Sequence, residues 1–216
     1  MKKVAVLLSG CGVFDGAEIH ESVITLLSLA RAGVAVQCYA PNREQLHVVN
    51  HLTGEVEAGQ GRNILVEAAR IARGEVKPLE DYQGDCDALI LPGGFGAAKN
   101  LCNFALVGAD NELHQDVQEF VEAFISANKP VGFVCISPVM MPKLLPAGVR
   151  GTIGTDADTA AAFNAMGGEH QSACVDAIVV DERYKVVSTP AYMLAGNITE
   201  AADGIEKLVA QVVDWI

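Results

Sequence analysis

The sequence predicts an α/β fold: a doubly wound, mostly parallel sheet with helices on both faces. Short apolar runs that read as buried strands alternate with segments of helical periodicity, and strand-loop-helix units repeated in this way specify parallel pairing with crossover helices. The chain has 216 residues, 50% of them hydrophobic and 19% charged, so it can bury a substantial core without disulfides or metal. One domain over residues 1–216 is the simplest organisation.

Residues 4–9 read as a central parallel strand. Residues 18–32 follow with helical spacing of Ile19, Val23, Leu26, Leu27 and Ala30 before Gly33 ends the helix. Residues 34–40 make a second strand stopped at Pro41, and residues 63–73 a helix with Ile64, Ala68 and Ile71 on one face. Between them, residues 42–62 form one long irregular insertion that suits a lid, a dimer contact or a surface loop. Ala88–Leu91 is a short buried strand ending at Pro92-Gly93-Gly94, residues 112–128 are helical before Lys129-Pro130, and the strand Val131–Val134 runs straight into Cys135. Residues 177–180 and 185–188 flank the polar turn Asp181-Glu182-Arg183-Tyr184 as a hairpin, and residues 197–215 close the chain as an amphipathic helix.

The net charge of -12 argues against a nucleic-acid or anionic-membrane partner, since binding phosphates requires clustered Lys and Arg. No segment is apolar enough to span a bilayer. Of the six cysteines, none falls in a CxxC or Cys/His ligand spacing, so neither a disulfide framework nor a metal site is expected, and a reducing cytoplasm fits. Cys11, Cys38, Cys86, Cys102 and Cys174 sit among apolar or small residues and read as structural. Lys2-Lys3 followed by an apolar run and Leu8-Ser9-Gly10-Cys11 mimics a lipoprotein signal. The run is shorter than the roughly 7–15 residues that a secretory signal needs, so a buried strand with an unmodified Cys11 is the expectation.

In open α/β sheets ligands bind outside the carboxyl ends of the strands, which directs attention to the loops 9–16, 92–96 and 134–138. Cys135 follows an apolar strand and precedes a helical segment. Such a turn exposes a thiol and places helix N-terminal amides where they favour a thiolate, although position alone suits a buried structural cysteine equally well. Gly93 and Gly94 permit close backbone approach to a substrate, and the Gly94 and Ile136 N–H groups are candidate oxyanion donors. Glu18 and Glu21 lie in the first turns of the first helix. Glu21 beside a thiol could hold or pass a proton, whereas Glu18 could equally serve the helix dipole alone. Gly10, Gly12 and Gly16 approach a dinucleotide fingerprint but carry one residue too many before the last glycine. No acidic residue follows the second strand, and Asp15 would repel a pyrophosphate, so no nicotinamide cofactor is expected.

The segments Ser9-Gly10-Cys11-Gly12-Val13, Asp15 to Glu21, His51-Leu52-Thr53-Gly54-Glu55, Leu91 to Leu101, Gly132 to Ile136 and Thr189 to Leu194 together resemble the ElbB glyoxalases. These are also called enhancing-lycopene-biosynthesis or sigma cross-reacting proteins, and they belong to the DJ/PfpI group of the class I glutamine-amidotransferase-like superfamily. The resemblance covers essentially the whole chain. It implies a flavodoxin-like sandwich and a cofactor-independent glyoxalase that converts glyoxal to glycolate, with Cys135 and Glu21 matching the nucleophile and its acidic partner. Homodimers are usual in that group. Many relatives carry His directly after the nucleophile, where this chain has Ile136, and the late His-x-Glu of true glutaminases is missing.

The expected mechanism is attack of a Cys135 thiolate on one aldehyde carbon, with Glu21 keeping the shared proton and moving it between the adjacent carbons. Without a histidine base the catalysis should be modest. The competing reading is a non-enzymatic redox sensor, which needs only a low-pKa thiol at Cys135. His170, in a polar loop, reads as solvated.

Overall fold

The computed structural model describes residues 2–216. In chain order the elements are β1 (Lys3–Leu7), α1 (Ile19–Arg31), β2 (Ala35–Ala40), α2 (Ile64–Ile71), β3 (Val76–Pro78), β4 (Ala88–Leu91), α3 (Phe104–Val107), α4 (Gln115–Ser126), β5 (Val131–Val134), α5 (Met141–Leu144), β6 (Arg150–Gly151), α6 (Ala157–Ala165), β7 (Glu169–His170), β8 (Val179–Asp181), β9 (Val186–Thr189) and α7 (Ile198–Asp214). Seven strands make one sheet in the order β3-β2-β1-β4-β5-β9-β8. Every pair is parallel except the hairpin β8–β9. The order reverses between β1 and β4, which opens a crevice at the carboxyl ends of those strands. β6 and β7 pair separately, in parallel.

Alternation along the central strands feeds two cores. Ala5, Leu7, Leu89, Leu91 and Phe133 face one side, against Phe120 and Phe124 of α4. Val4, Val6, Ala88, Ile90 and Val134 face the other, against Ile64 of α2 and Ile205 and Leu208 of α7. α7 is the strongly amphipathic helix that the sequence predicts. Asn197 caps it by accepting from the N–H groups of Thr199 and Glu200, and it buries Ala201, Ile205, Leu208, Val209 and Val212. Each large apolar side chain buried this way stabilises the fold by about 1.5–3 kcal/mol.

α1 departs from the expected pattern. Its buried residues are Glu21, Ser22, Ile24, Thr25, Ser28 and Leu29, while Ile19, Val23 and Leu27 are 43%, 47% and 45% exposed. Small hydroxyl side chains take the inner face because Ser22 and Ser28 satisfy themselves on the carbonyls of Glu18 and Ile24, one turn back. The apolar periodicity therefore marks the outer face of this helix.

The insertion 42–62 is a folded loop. Antiparallel bridges join Glu44 to Asn63 and Val49 to Val56. The loop is tied to the body through Val49 N–H donating to Asp15 Oδ2 at 2.7 Å and Leu46 N–H donating to Asn100 Oδ1 at 2.9 Å. Among the described residues no helix is long and apolar enough to cross a membrane.

Candidate active site

Each loop at the crevice is shaped by residues that the backbone geometry demands. β5 ends at Val134, and Cys135 takes φ 64°, the left-handed region that costs a non-glycine residue of order 1 kcal/mol or more. Ser137 holds this turn: its Oγ accepts from Val134 N–H at 2.8 Å and lies 2.9 Å from the Leu91 carbonyl oxygen. The Cys135 N–H donates to the Thr189 carbonyl at 2.9 Å, so it is not free to face a ligand. The N–H groups of Gly94 and Ile136 point at the sulfur instead. Gly94 has φ 89°, and a Cβ there would lie 2.5 Å from both Glu18 N and Gly16 O.

Glu21 lies one turn into α1, which starts where the Glu18 side chain accepts from the Glu21 N–H at 2.7 Å. Its own carboxylate is fully buried and held at both oxygens: Oε2 accepts from Gly93 N–H at 2.9 Å and Oε1 from Tyr192 N–H at 3.2 Å. It also shares a hydrogen bond with the Cys135 thiol. Burial, and secondarily the Glu18 carboxylate, push the Glu21 pKa up to about 7. Burial, followed by the Glu21 charge, pushes the Cys135 thiol well above the usual thiol range.

That result corrects the expectation of a thiol acidified by a helix terminus. The segment after Cys135 is a single 3-10 turn, Ser137–Met140, leading into the four-residue α5. Two amides alone do not offset the removal of the sulfur from water. Burial at this position works against the low-pKa thiol that the redox-sensor reading requires.

The six residues singled out in the sequence meet at this crevice, with different placements. Cys135, Ile136, Gly94 and Glu18 line a cavity of about 460 Å3 together with Val13, Phe95 and Tyr192. Gly93 does not line it. A Cβ on Gly93 would lie 2.4 Å from Cys135 Cβ and 2.7 Å from Glu21 Oε2, so its backbone is wedged behind the thiol. Glu21 is not part of the wall either; its carboxyl lies beside the sulfur. Glu18 combines both roles weighed for it, capping the helix and facing the cavity.

Six further residues were not assigned a role from sequence. Ser137 fixes the turn, Tyr192 supplies an amide to Glu21 and its hydroxyl to His20 Nδ1 at 2.8 Å, and Phe104, Asp156, Thr159 and Met193 complete the cavity wall. The signal for Tyr192 was its position directly after a strand; β9 ends at Thr189, beside Val134. No histidine replaces the missing triad base, because His20, adjacent to Glu21 in sequence, is turned to Tyr192. His170 is not simply solvated: its Nε2 accepts from Ile153 N–H at 3.2 Å and its ring meets Phe163 edge-on. Among the other cysteines, Cys38, Cys86 and Cys102 are buried as expected, whereas Cys11 is half-buried and Cys174 is exposed. Among the described residues no group of three or more His, Cys, Asp or Glu side chains is arranged to hold a metal ion.

A family model, DJ-1/PfpI, matches residues 2–183. The chain belongs to the DJ-1/PfpI family. Within reach of this DJ-1/PfpI chain is the human protein named glutamine amidotransferase-like class 1 domain-containing protein 3, mitochondrial. It is 43% identical over 98% of this chain and 82% of its own length. An isoprenoid biosynthesis protein with an amidotransferase-like domain from Ehrlichia chaffeensis superposes with a TM-score of 0.93 at 38% identity, over 100% of this chain and 99% of its own. Glyoxalase III of Candida albicans has the same fold, with a TM-score of 0.62 at 14% identity over 97% of each chain. The class I glutamine-amidotransferase-like, flavodoxin-like architecture predicted from sequence is thus the architecture of this DJ-1/PfpI member. The expected cytoplasmic location does not stand. The human relative and its counterparts from Rattus norvegicus and Danio rerio, at 41% and 33% identity, are mitochondrial by name. The cysteine spacing on which that expectation rested does not distinguish one compartment from another.

Proposed function

We propose that this DJ-1/PfpI protein is a cofactor-independent glyoxalase of the ElbB type that converts glyoxal to glycolate. The observation that carries the reading is the buried carboxyl-thiol pair, Glu21 hydrogen-bonded to Cys135, with the Gly94 and Ile136 amides directed at the reacting atom. With a thiol this hard to ionise in isolation, the nucleophile is made during attack. The Glu21 carboxylate takes the thiol proton as sulfur bonds to one aldehyde carbon, and the carbonyl electron pair moves to oxygen, where Gly94 and Ile136 stabilise it. The proton then passes to that oxygen, giving a hemithioacetal. Glu21 next moves a proton from the sulfur-bearing carbon to its neighbour through an enediol. The first carbon is thereby oxidised to a thioester and the second reduced to a carbinol. Water cleaves the carbon-sulfur bond, so glyoxal and one water yield glycolic acid with no external oxidant or reductant.

The test is incubation with glyoxal while glycolate is followed by proton NMR, alongside Cys135→Ser and Glu21→Gln proteins. Loss of glycolate in both supports the reading, and undiminished production by Cys135→Ser overturns it. A homodimer belongs to the same proposal, because Ile19, Val23 and Leu27 leave an apolar stripe along α1 that a second copy would cover. Val23→Glu should then shift the sedimentation coefficient to that of a monomer.

A further inference from the structure

The cavity above Cys135 measures about 460 Å3, a size that holds drug-sized ligands. Glyoxal, two carbonyl carbons long, would leave most of its wall without a contact. Much of that wall is apolar: Phe95 comes from the loop after β4, Phe104 from α3 and Met193 from the turn after β9, with Val13 and Ile136 also lining it. Three separate elements therefore converge on a space that glyoxal does not need.

The charge of the wall is one-sided. Glu18 and Asp156 line it, and no Lys or Arg does. Asp156 is fixed in place as the cap of α6, accepting from Thr159 N–H at 2.8 Å, and this contact holds its carboxyl below the usual range. Lys99 approaches only through the Phe95 ring, 5.3 Å from its centroid, and its ammonium donates to the Phe14 carbonyl at 3.0 Å. A phosphorylated or carboxylated substrate would meet two carboxylates and no cation.

We propose that the preferred substrate is a neutral 2-oxoaldehyde bearing an aryl or branched alkyl group, with that group packed among Phe95, Phe104 and Met193. The proposal rests on the glyoxalase reading and deepens it. Chemically nothing is added: thiolate attack falls on the aldehyde carbon, the ketone carbon is reduced to the carbinol, the aldehyde carbon leaves as carboxylate, and one water is consumed. Phenylglyoxal would yield mandelate.

Initial rates with glyoxal, phenylglyoxal and 4-carboxyphenylglyoxal test it. Burying a ring against this wall should raise kcat/KM for phenylglyoxal about tenfold or more above that for glyoxal. The carboxylated analogue should fall about tenfold below phenylglyoxal. Asp156→Asn, which keeps a capping side chain, should narrow that second gap, and Phe104→Ala should lower the phenylglyoxal-to-glyoxal ratio. A phenylglyoxal kcat/KM no higher than that of glyoxal, or equal use of the carboxylated analogue, overturns the inference. Conversion of glyoxal alone refutes the inference and leaves the glyoxalase reading standing, whereas conversion of none of the three refutes both.

Discussion

The carboxyl of Glu21 and the thiol of Cys135 share a hydrogen bond in which each partner is also addressed by two backbone amides, Gly93 and Tyr192 on the carboxyl and Gly94 and Ile136 on the sulfur. α1 supplies one partner and the turn after β5 the other, so the pair spans the point where the strand order reverses. Burial disfavours charge on either group, and each charge disfavours the other. The pair therefore titrates as a unit, losing its first proton near neutrality and its second far above.

The first prediction concerns rate against pH. Only the form that has lost one proton contains a base for the thiol, so kcat/KM for glyoxal should rise with pH through an apparent pKa of about 7, the value to which burial raises Glu21. The falling limb should lie beyond pH 9, because the thiol is pushed well above its usual range of 9.0. Glu21→Gln should lose roughly 10²–10⁴-fold in rate and the rising limb with it. A profile flat between pH 5.5 and 8.5, on the order of three pH units, would remove Glu21 from the mechanism.

Stability should follow the same group with opposite consequence. A carboxyl whose folded pKa is raised from 4.5 to about 7 favours the folded state when protonated. That contribution is fully present below the unfolded pKa and is lost as pH rises through about 7, amounting to up to about 3 kcal/mol. Urea unfolding of the wild-type protein should therefore weaken between pH 5 and pH 8, about where the two pKa values lie, while Glu21→Gln shows a shallower slope. Equal slopes in the two proteins would mean that Glu21 stays ionised in the fold.

The central strands and the cysteine turn were legible in sequence because apolar runs and the loops that follow them obey local rules, whereas the short strands β3, β6 and β7 carry no such run. β4, β5 and the position of Cys135 needed no tertiary information. The inner face of α1 was not legible because Ile19, Val23 and Leu27 carry the apolar signal while Ser22, Thr25 and Ser28 are buried, and a hydrophobic period cannot reveal that Ser22 and Ser28 satisfy their hydroxyls on their own helix. Among site residues, Glu21 in the first turn of α1 and Gly94 in the loop after β4 follow strands whose carboxyl ends any parallel sheet brings together. Tyr192 and Asp156 come from segments well separated from Cys135 in the chain, and only the tertiary fold places them beside it. The thiol's pKa could not be read at all, since it depends on how deeply the turn is covered.

Gly93→Ala tests how tightly the pair is enclosed. Gly93 is in an ordinary φ range, so the cost is steric alone: the added Cβ would fall 2.4 Å from Cys135 Cβ, 2.7 Å from Glu21 Oε2 and 3.0 Å from Cys135 Sγ. Neither neighbour is a free chain end, as Glu21 is held by two amides and Cys135 by the turn. The variant should lose about 1–3 kcal/mol of stability and most of its glyoxal turnover. Chemical denaturation and glycolate assay measure the two effects, and full activity in Gly93→Ala would show that the pair has room that the geometry denies it.

The last prediction concerns Asn100, a buried amide that ties the crevice loops to the insertion. It lies in a short π-helical turn, Ala97–Leu101, directly after the glycine loop. Its Nδ2 donates to the carbonyls of Ser9 and Asp15, each at 2.9 Å, and its Oδ1 accepts from Leu46 N–H at 2.9 Å. Asp15 in turn accepts from Val49 N–H, so one side chain supports both the loop that precedes α1 and the insertion packed over it. Asn100→Ala leaves two carbonyls and one amide without this partner. At about 1–3 kcal/mol for each buried group left unsatisfied, less whatever water recovers, a loss of about 2–4 kcal/mol is expected. Asn100→Asp is the sharper probe, because it keeps the acceptor for Leu46 but presents an oxygen, rather than a donor, to the Ser9 and Asp15 carbonyls. It should destabilise the protein at least as much as alanine at neutral pH and recover partly as acid protonates the new carboxyl. Hydrogen exchange should accelerate at Leu46 and Val49 in Asn100→Ala before it does in the central strands. Unchanged protection at those two amides would mean that the insertion is held by its own hairpin bridges and not by Asn100.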